Sequence, residues 1–284
     1  MERALVIGAT GFLGRRITHA LVHSEIAVEA MRRWNSDTDE LDELGVQTVV
    51  ADLLDRKSLI ETLTGFNYVF MAAAPDPGAG GWHYIRDSVL SIRHLLDVAR
   101  EVDVERVVVT SCATTVSRPA KGSMATEEDV YLPGSAENQI VEAQYAVEQE
   151  CFREAADGME LVIVNPGICI GDGAKIPSRK LLSNVQDGAR INLVDVDDVA
   201  RAHIEAAREP SYGERFLLGG ENTTIGELSE RLEKLGGHKR RLGRYEVQSV
   251  DSVDKLRHLP LYEQGCWLDS GRAERRLGFR PRSL

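Results

Sequence analysis

The sequence predicts an α/β fold, in which a doubly wound parallel sheet carries helices on both faces and is followed by a smaller C-terminal domain. Apolar runs of strand length, such as residues 4–7 and 106–110, alternate with stretches of helical periodicity, such as residues 89–102. This alternation is typical of parallel sheets, because parallel neighbours need a long crossover that is usually helical. After Asn165 the rhythm changes to a Gly- and Pro-rich link. We therefore expect a first domain over residues 1–165 and about 191–208, and a small substrate-binding domain over residues 166–190 and 209–284.

The charge balance excludes some classes of partner. The 284 residues include 45 Asp and Glu against 34 Lys and Arg, so the formal net charge is −11. A field of this sign repels polyanions, and we expect neither a nucleic-acid partner nor an anionic membrane. No apolar run reaches the roughly 18 residues of a membrane-spanning helix, and the amino terminus shows no signal-peptide pattern. These features predict a cytoplasmic protein.

The four cysteines do not form a metal-binding pattern. Cys112, Cys151, Cys169 and Cys266 are scattered, and no histidine lies near them at the spacing of a metal site. We expect reduced thiols, most of them small core residues, and no metal ion.

The first predicted strand runs directly into a glycine-rich turn. Gly8, Gly11 and Gly14 lie in the stretch GATGFLGRRITHAL, at the point where the strand gives way to a helix. The first glycine permits a tight turn, the second lets backbone N–H groups approach a pyrophosphate, and the third lets the helix pack on the sheet. Since a helix N-terminus also favours an anion, the turn predicts a dinucleotide site on a Rossmann domain. Further expected cofactor contacts in the turn are Thr10, Phe12 and Leu13.

The end of the second predicted strand indicates which dinucleotide is bound. At this point, about 20 residues beyond the turn, NAD-binding proteins usually carry an acid that binds the ribose hydroxyls. Here Arg32 and Arg33 stand in its place. Two adjacent guanidinium groups suit a 2′-phosphate, which favours NADP(H) as the cofactor. The alternative is that both arginines belong to a solvated strand end.

Taken together, several motifs resemble those of the extended short-chain dehydrogenases/reductases, of the dihydroflavonol-reductase-like kind, over nearly the whole chain. They are GATGFLG, ADLLD, VFMAAA, VIVNPGICIG, VDVDDVARAHIEAA, GERFLLGGENTTIGEL and AERRLGFRP. The resemblance implies a Rossmann domain that binds NAD(P) and a small C-terminal domain that binds the substrate. It also implies cofactor contacts at Asp52 and Leu53, which would flank the adenine, and at Ala72, Ala73, Ala74, Ser111, Pro166 and Ile168.

The same resemblance shows that the usual reaction centre is altered. The family usually uses a Ser or Thr, a Tyr, and a Lys four residues after the Tyr. Counting back from Gly158 places the Tyr position at Ile140 and the Lys position at Gln144. A second register uses Tyr145, but Gln149 then takes the Lys position, so the lysine is absent either way.

We prefer the first register, because Ile140 and Gln144 share one helix face and Tyr145 is rotated by about 100° from Gln144. Tyr145 is then a packed or surface aromatic residue. The family's serine falls on Cys112, its asparagine on Ser88, and its histidine on Met71. Losses on this scale beside an intact cofactor motif indicate either a changed mechanism or no catalysis.

The first functional hypothesis is an NADPH-dependent ketoreductase whose substrate is a polycyclic aromatic ketone of the angucyclinone type. A neighbouring phenolic hydroxyl in the substrate, or water, would supply the proton, and Gln144 would bind the nicotinamide ribose. Ser111, His83 and Tyr145 remain candidate donors. Residues 75–88 are expected to form a mobile flap, in which Trp82, His83 and Tyr84 contact a flat substrate.

Two other functions remain open. A non-catalytic NADP-binding sensor or scaffold would explain the missing residues without any substrate. A nucleotide-sugar epimerase or dehydratase is a weaker alternative, because those reactions rely more heavily on the protein's tyrosine base. Asp197 and Asp198 are expected to cap a helix at a domain junction rather than to act as a catalytic carboxylate pair.

Overall fold

The protein is described here as a computed structural model, which covers residues 2–24, 26–73, 81–116, 123–135, 138–182, 185–252, 259–263 and 265–284. The chain forms two compact units. The first contains Met1–Ser111, Ala143–Val164 and Ala200–Arg215, and the second contains Cys112–Glu142, Asn165–Val199 and Phe216–Leu284.

Seven strands of the described chain form one large sheet. They are β1 (Arg3–Ile7), β2 (Ala27–Arg32), β3 (Gln47–Val50), β4 (Tyr68–Met71), β5 (Arg106–Thr110), β6 (Leu161–Pro166) and β10 (Tyr212–Leu218). Their order across the sheet is β10, β6, β5, β4, β1, β2 and β3. All neighbouring pairs from β6 to β3 run parallel. The predicted doubly wound parallel sheet is therefore confirmed.

The strands of this sheet are apolar on both faces because helices cover both. Val107 and Val109 of β5 belong to a core cluster that also contains Leu59, Ile92 and Cys151, which lie on three different helices. On the opposite face, Arg106 donates a hydrogen bond to the carbonyl of Ala207, and Thr110 Oγ1 lies 2.9 Å from Nε2 of His203. Such two-sided burial explains why the strands read as continuous apolar runs rather than as alternating ones.

The helices that connect the central strands are α1 (Phe12–Val22), α2 (Asp39–Glu43), α3 (Arg56–Leu63), α4 (Gly81–Glu101), α5 (Gln139–Ala156) and α7 (Val196–Arg208). The α3 helix begins at a side-chain cap, because Asp55 accepts hydrogen bonds from the backbone N–H groups of Lys57 and Ser58. None of the helices in the described residues is long and apolar enough to cross a membrane.

The second unit is built on two smaller sheets. One contains β7 (Ile168–Ile170), β9 (Arg190–Asp195) and β11 (Glu221–Thr224), and the other contains β8 (Lys175–Pro177), β12 (Glu233–Lys234), β13 (Lys239–Leu242) and β14 (Tyr245–Val250). The remaining helices are α6 (Arg179–Leu182), α8 (Ile225–Arg231), α9 (Leu259–Glu263) and α10 (Gly271–Arg276). A capping box between Thr224 and Glu227 fixes the start of α8.

The two units divide the chain differently from the predicted domains at residues 112–142, 165, 191–199 and 209–215. Strand pairing accounts for part of the difference. Residues 191–195 lie in β9, which pairs with β7 and β11 outside the large sheet. Strand β10 joins the large sheet through its pairing with β6, and it begins at Tyr212, after the predicted boundary.

A buried carboxylate organises the second unit. Asp195 is fully buried and accepts hydrogen bonds from the Tyr245 hydroxyl and from the Arg244 and Arg282 side chains, the last at 2.7 Å. Its Oδ1 also accepts from the backbone N–H groups of Asp197 and Asp198 at 2.9 and 3.3 Å. Asp195 is thus the cap of α7, and the predicted capping role of Asp197 and Asp198 is wrong. The reason is that the helix begins one residue earlier, at Val196.

The neighbouring Asp198 fastens the carboxyl-terminal segment. It is buried and accepts hydrogen bonds from the Arg282 backbone N–H at 2.6 Å and from the Arg282 Nε at 2.8 Å. Arg282 therefore joins two buried carboxylates at once. Arg282 directly follows the FRP sequence of residues 279–281. The end of the chain is therefore held by Asp195 and Asp198 through this one arginine.

We predict that Asp195→Asn lowers the free energy of unfolding by about 2–3 kcal/mol, since it removes the buried carboxylate of Arg244 and one of the two buried carboxylates of Arg282. Burial acts to raise the pKa of Asp195, but hydrogen bonds from Tyr245 and Arg244 outweigh it and hold the pKa below its usual value. The stabilisation is therefore fully present above about pH 4 and is lost as the pH falls through the depressed pKa. Urea denaturation at a series of pH values measures both effects.

Asp197→Asn is the matched control. The Asp197 carboxylate is 40% exposed and lies 3.8 Å from Arg282, so its removal is expected to cost less than about 0.5 kcal/mol. Equal losses in the two variants, or a difference that persists unchanged at pH 2, would contradict the role given to Asp195.

Candidate functional site

The turn between β1 and α1 requires glycine at two positions. Gly8 has a φ of +86°, and a Cβ atom there would lie 2.7 Å from the backbone nitrogen of Ala73. A Cβ atom on Gly14 would lie 2.1 Å from the carbonyl oxygen of Gly8. The Gly11 N–H closes the turn with a 2.9 Å hydrogen bond to that same oxygen. The turn therefore brings the start of α1 against the end of the sheet, as the glycine spacing predicts.

The amino terminus of α1 is available to an anion. Gly11 is the cap residue and offers no side-chain hydrogen bond, and the first turn contains no acidic residue. The first N–H groups of a helix have no partners within the helix, and the helix dipole adds partial positive charge at this end. Phe12 and Leu13 are the first two helical residues, so their backbone groups fit a pyrophosphate.

A cleft of about 520 Å³ opens beside this turn. Its volume lies within the range of cofactor-binding pockets. Seven predicted cofactor contacts line it, together with short polar side chains that were not predicted and with Tyr84, which was expected to contact the substrate. The complete lining is Ile7, Gly8, Thr10, Met31, Arg32, Arg33, Asn35, Ser36, Ala51, Asp52, Leu53, Leu54, Ala73, Tyr84, Asp87 and Ser91.

The two arginines at the end of β2 face this cleft. Arg32 is held in place by a 3.1 Å hydrogen bond from its Nε to Thr48 Oγ1, and Arg33 is exposed. Asn35 and Ser36 line the same cleft. Together they form a set of donors that suits a phosphate group. Asn35 and Ser36 were not predicted, although short polar residues two and three positions after an arginine pair are a usable signal.

The loop after β3 is fixed by its own hydrogen bonds. Asp52 Oδ1 accepts from the Leu54 N–H at 2.9 Å, and the His94 ring Nδ1 donates to the carbonyl of Leu53 at 3.1 Å. The resemblance assigned the adenine to Asp52 and Leu53, and both residues line the cleft. His94 lies on α4 and was not predicted to have a role here. It positions the loop through the backbone of Leu53.

A second, much smaller cavity of about 20 Å³ lies among the ends of β4 and β5 and helices α4 and α5. It has room for about one water molecule. The structure brings Met71, Ser88 and Gln144 together here, the three residues that the sequence analysis expects at altered positions of the reaction centre. The lining is Met71, Ala73, Tyr84, Ser88, Ser91, Ile92, Val109, Thr110, Ala143, Gln144 and Val147, without a charged residue.

The predicted flap is helical where it is described. Residues 74–80, including Ala74, lie outside the described residues, but α4 begins at Gly81 and contains Trp82, His83 and Tyr84. The prediction of a loop over residues 81–88 was therefore wrong. Tyr84, Ser88 and Ile92 recur at helical spacing and are buried, which overrides the turn signal of the preceding glycines.

The three aromatic residues of this segment have different environments. Trp82 is 71% exposed and His83 is also exposed. Tyr84 is only 1% exposed and lines both the cleft and the small cavity. Tyr84 therefore forms part of the wall that the two spaces share, rather than the surface of a flap.

The remaining predicted reaction-centre residues lie on two segments. Ile140 and Tyr145 are half-buried on α5, Ile140 in its first turn. Cys112 precedes a short 3-10 helix at Ala113–Thr115, and its Sγ lies 2.7 Å from Thr114 Oγ1. Ser111 is buried at the end of β5, with a hydroxyl that has no hydrogen-bond partner among the described residues.

Two expected cofactor contacts belong to the second unit. Pro166 ends β6 and Ile168 begins β7, and both are buried. Gly167 lies between them, where a Cβ atom would be 2.5 Å from Asn192 Oδ1. This close approach accounts for the glycine of the NPG sequence.

Two of the four thiols are held protonated by burial, and no metal site is apparent in the described residues. The four cysteines form no disulfide bond. Burial, followed by the charge of Asp195, raises the pKa of Cys169 to about 12, and burial raises the pKa of Cys151 well above its usual value. The part of the chain that the structure describes contains no cluster of His, Cys, Asp and Glu that would hold a metal ion.

Comparison with known proteins identifies the family. Residues 8–210 match the sequence profile of a family described as NAD(P)H-binding. The sterol demethylase protein B of Methylococcus capsulatus is 31% identical over 254 residues, which cover 83% of this chain and 75% of that protein. A putative dihydroflavonol 4-reductase of Synechocystis is 29% identical, over 82% of this chain and 72% of the relative.

A ketoreductase and a solved structure extend the comparison. The 4-hydroxy-2-methyl-3-oxo-4-farnesyl-3,4-dihydroquinoline-1-oxide ketoreductase of Stigmatella aurantiaca is 26% identical over 89% of this chain and 79% of that protein. The fold is similar to a nucleoside-diphosphate-sugar epimerase from Pseudomonas aeruginosa, with a TM-score of 0.78, 22% identity, and coverage of 100% of this chain and 93% of the other. The chain belongs to the NAD(P)H-binding family, as a reductase-like member of the extended short-chain dehydrogenases/reductases.

Proposed function

We propose that the protein is an NADPH-dependent ketoreductase that reduces a carbonyl of a polycyclic aromatic, angucyclinone-type metabolite without a tyrosine–lysine acid. The observation that carries the proposal is the small cavity beside an intact glycine cradle. Its lining includes Gln144, Met71 and Ser88, which are all neutral. The site thus keeps the groups that bind a hydride donor and lacks the cation that would activate a protein acid.

Binding of NADPH is supported by the arginine pair. Arg32 and Arg33 line the cleft together with Asn35 and Ser36, and Thr48 orients the Arg32 side chain. A charge-assisted hydrogen bond from a guanidinium to a phosphate is roughly twice as strong as one between neutral groups. The arrangement therefore favours the cofactor that carries a 2′-phosphate.

The chemistry follows from what these side chains can do. When bound, the reduced nicotinamide supplies the hydride that adds to the carbonyl carbon. Gln144 would hold the nicotinamide ribose through its neutral amide, and the buried side chains of Tyr84 and Met71 form an apolar wall beside it. The carbonyl oxygen takes its proton from a phenolic hydroxyl of the substrate or from water.

The energetic cost of this mechanism is moderate. A general acid typically contributes about 10²- to 10⁴-fold to the rate, whereas positioning of the two reactants contributes more. A phenolic hydroxyl next to the carbonyl is already hydrogen-bonded to it, so it stabilises the developing alkoxide at no cost in ordering. Aromatic hydroxyketones are therefore the substrates that tolerate the loss of the protein's acid best.

One relative supports a cyclic ketone as substrate, and a second supports an oxygenated aromatic ring system. One is named as a ketoreductase of a farnesylated dihydroquinoline oxide, and another as an anthocyanidin reductase from Vitis vinifera that is 26% identical over 82% of this chain and 80% of that protein. Both names refer to oxygenated ring systems. The assignment of such a substrate to this chain rests on the neutral lining around Gln144 and on this similarity.

The same neutral lining also favours a second candidate, a non-catalytic NADP-binding sensor. Such a protein needs the cradle and the arginine pair but none of the acid–base groups. The two candidates differ in turnover, because only the ketoreductase consumes NADPH in the presence of a ketone.

We predict that the protein oxidises NADPH in the presence of a hydroxylated anthraquinone or angucyclinone ketone and forms the alcohol. Methylation of the neighbouring phenol should reduce kcat by about 10²-fold, because it removes the internal proton donor. Absorbance of the reduced nicotinamide and chromatography of the product measure the reaction. Tight NADPH binding without turnover on any member of the panel would support the sensor instead.

The source of the proton is tested by Tyr145→Phe, which should leave kcat within about twofold of wild type. Tyr212→Phe, at a tyrosine that is 60% exposed, is the matched control. A loss of 10²-fold or more in the Tyr145 variant alone, in the range of a general acid, would assign the acid to Tyr145 and refute the substrate-derived proton.

The cofactor preference is tested by Arg32→Glu. We expect the Kd of NADPH to rise by about 10- to 100-fold and the Kd of NADH to change by less than threefold, because only NADPH offers a 2′-phosphate to the guanidinium. Fluorescence titration measures both constants. Arg56→Glu, on a surface arginine paired with Glu101, controls for the change in net charge. Equal weakening of the two cofactors by Arg32→Glu would remove the specificity argument.

A further inference from the structure

Trp34 is the most exposed of the large apolar side chains in the described part of the chain. The residue is 82% exposed, and it lies between Arg33 and Asn35, which both line the cleft. An indole offers more apolar surface for burial than almost any other side chain. A single exposed apolar residue is ordinary on a protein surface, so the surroundings of Trp34 decide its meaning.

The backbone that carries the indole is fixed. Trp34 and Asn35 are the central residues of a turn, which the Ser36 N–H closes with a 3.1 Å hydrogen bond to the Arg33 carbonyl. Arg32 adds two longer bonds of 3.4 Å from one guanidinium nitrogen, to the carbonyls of Arg33 and Trp34. The turn thus holds the indole at a defined place beside the cleft. Because the side chain is exposed, its rotation toward a ligand displaces only water.

Exposed apolar surface continues from the cleft to this turn. Leu54 lines the cleft and is exposed. Val50, the last residue of β3, is also exposed, and the strand register places it beside Arg32 of β2. The turn with Trp34 follows β2 directly. A flat ring bound at this end of the cleft therefore finds apolar partners beside the arginine pair.

The chemistry of the cofactor says which ring this is. In NADPH, the 2′-phosphate and the adenine are attached to neighbouring carbons of one ribose. A phosphate bound by Arg32 and Arg33 therefore brings the adenine next to the turn that carries Trp34. Asp52 and Leu53, which are expected to flank the adenine, line the same cleft. Since every base has an apolar π face, stacking on an aromatic side chain suits this ring.

We propose that Trp34 stacks on the adenine of the bound dinucleotide and covers the cleft at its adenine end. This inference rests on the proposed binding of NADPH, but it does not depend on the turnover of a ketone. The arginine pair selects the 2′-phosphate, and Trp34 adds affinity that is independent of that phosphate. NADPH and NADH carry the same adenine, so the contribution of Trp34 is common to both cofactors, whereas that of Arg32 is not.

The contact is tested with 2′,5′-ADP, which contains the adenine, the ribose and the 2′-phosphate but no nicotinamide. This probe does not absorb in the emission band of tryptophan, so it quenches an indole through contact rather than through energy transfer. We expect it to quench part of the wild-type fluorescence. Trp34→Phe should abolish this change, although Trp82 and Trp267 remain. Trp82→Phe, at a tryptophan that is 71% exposed on α4, is the matched control and should retain it.

The affinity is tested by calorimetry, which does not depend on fluorescence. Trp34→Ala should raise the Kd values of 2′,5′-ADP, NADPH and NADH by at least about fivefold each, because the stack on the base is lost. Trp34→Phe keeps an aromatic face, so its Kd values should stay within about threefold of wild type. The melting temperature should not change in either variant, since the residue is exposed.

Four outcomes would overturn the proposal. Kd values of Trp34→Ala within about twofold of wild type refute the stack and leave the NADPH site and the ketoreductase intact. Quenching that persists in Trp34→Phe assigns the contact to another tryptophan. A loss that affects 2′,5′-ADP and NADPH but spares NADH shows that Trp34 acts through the phosphate rather than the adenine. Failure of the wild type to bind NADPH or 2′,5′-ADP overturns the proposed cofactor preference and this inference together.

Discussion

The close approach between the β1–α1 turn and the end of β4 determines the geometry of the nucleotide site. Gly8 lies so near the backbone of Ala73 that a single methyl group would collide with it, and Gly14 lies even closer to the carbonyl of Gly8. Through these contacts the uncapped start of α1 is held at the carboxyl edge of the sheet, beside a cleft large enough for a dinucleotide. Three further features lie at this edge of the sheet: the arginine pair, the loop at Asp52 and the small cavity.

In the proposed account, the cofactor site keeps its binding groups and the reaction centre does not. Gly8 and Gly14 cannot carry a Cβ atom, because other backbone atoms lie within van der Waals distance of each position. The small cavity has no comparable steric constraint, and the proposed mechanism takes Gln144, Met71 and Ser88 as neutral replacements for polar or ionisable groups of the family. A site of this kind can still align two reactants, but the substrate must then contribute more of the proton chemistry.

Local features were predictable from the sequence where a short stretch of chain carries all the information. The glycine turn and Arg32 with Arg33 are of this kind, because their spacing fixes their geometry. Gln144 lines the small cavity, and its contact with the nicotinamide ribose stays a prediction. Features that depend on tertiary packing were missed. The burial of Tyr84 extends α4 through the predicted flap, Asp195 rather than its neighbours caps α7, and the orphan hydroxyl of Ser111 is visible only in three dimensions.

The central claim is that the cleft delivers a hydride to a carbonyl although the tyrosine–lysine pair is absent. Transfer of deuterium tests it most directly. The protein is incubated with the hydroxyketone and NADPH deuterated at C4 of the nicotinamide, on one face and then on the other, and the alcohol is analysed by mass spectrometry and NMR. The account predicts one deuterium at the carbinol carbon from one face only. Alcohol without deuterium from either face, or recovery of both reactants unchanged, would contradict it.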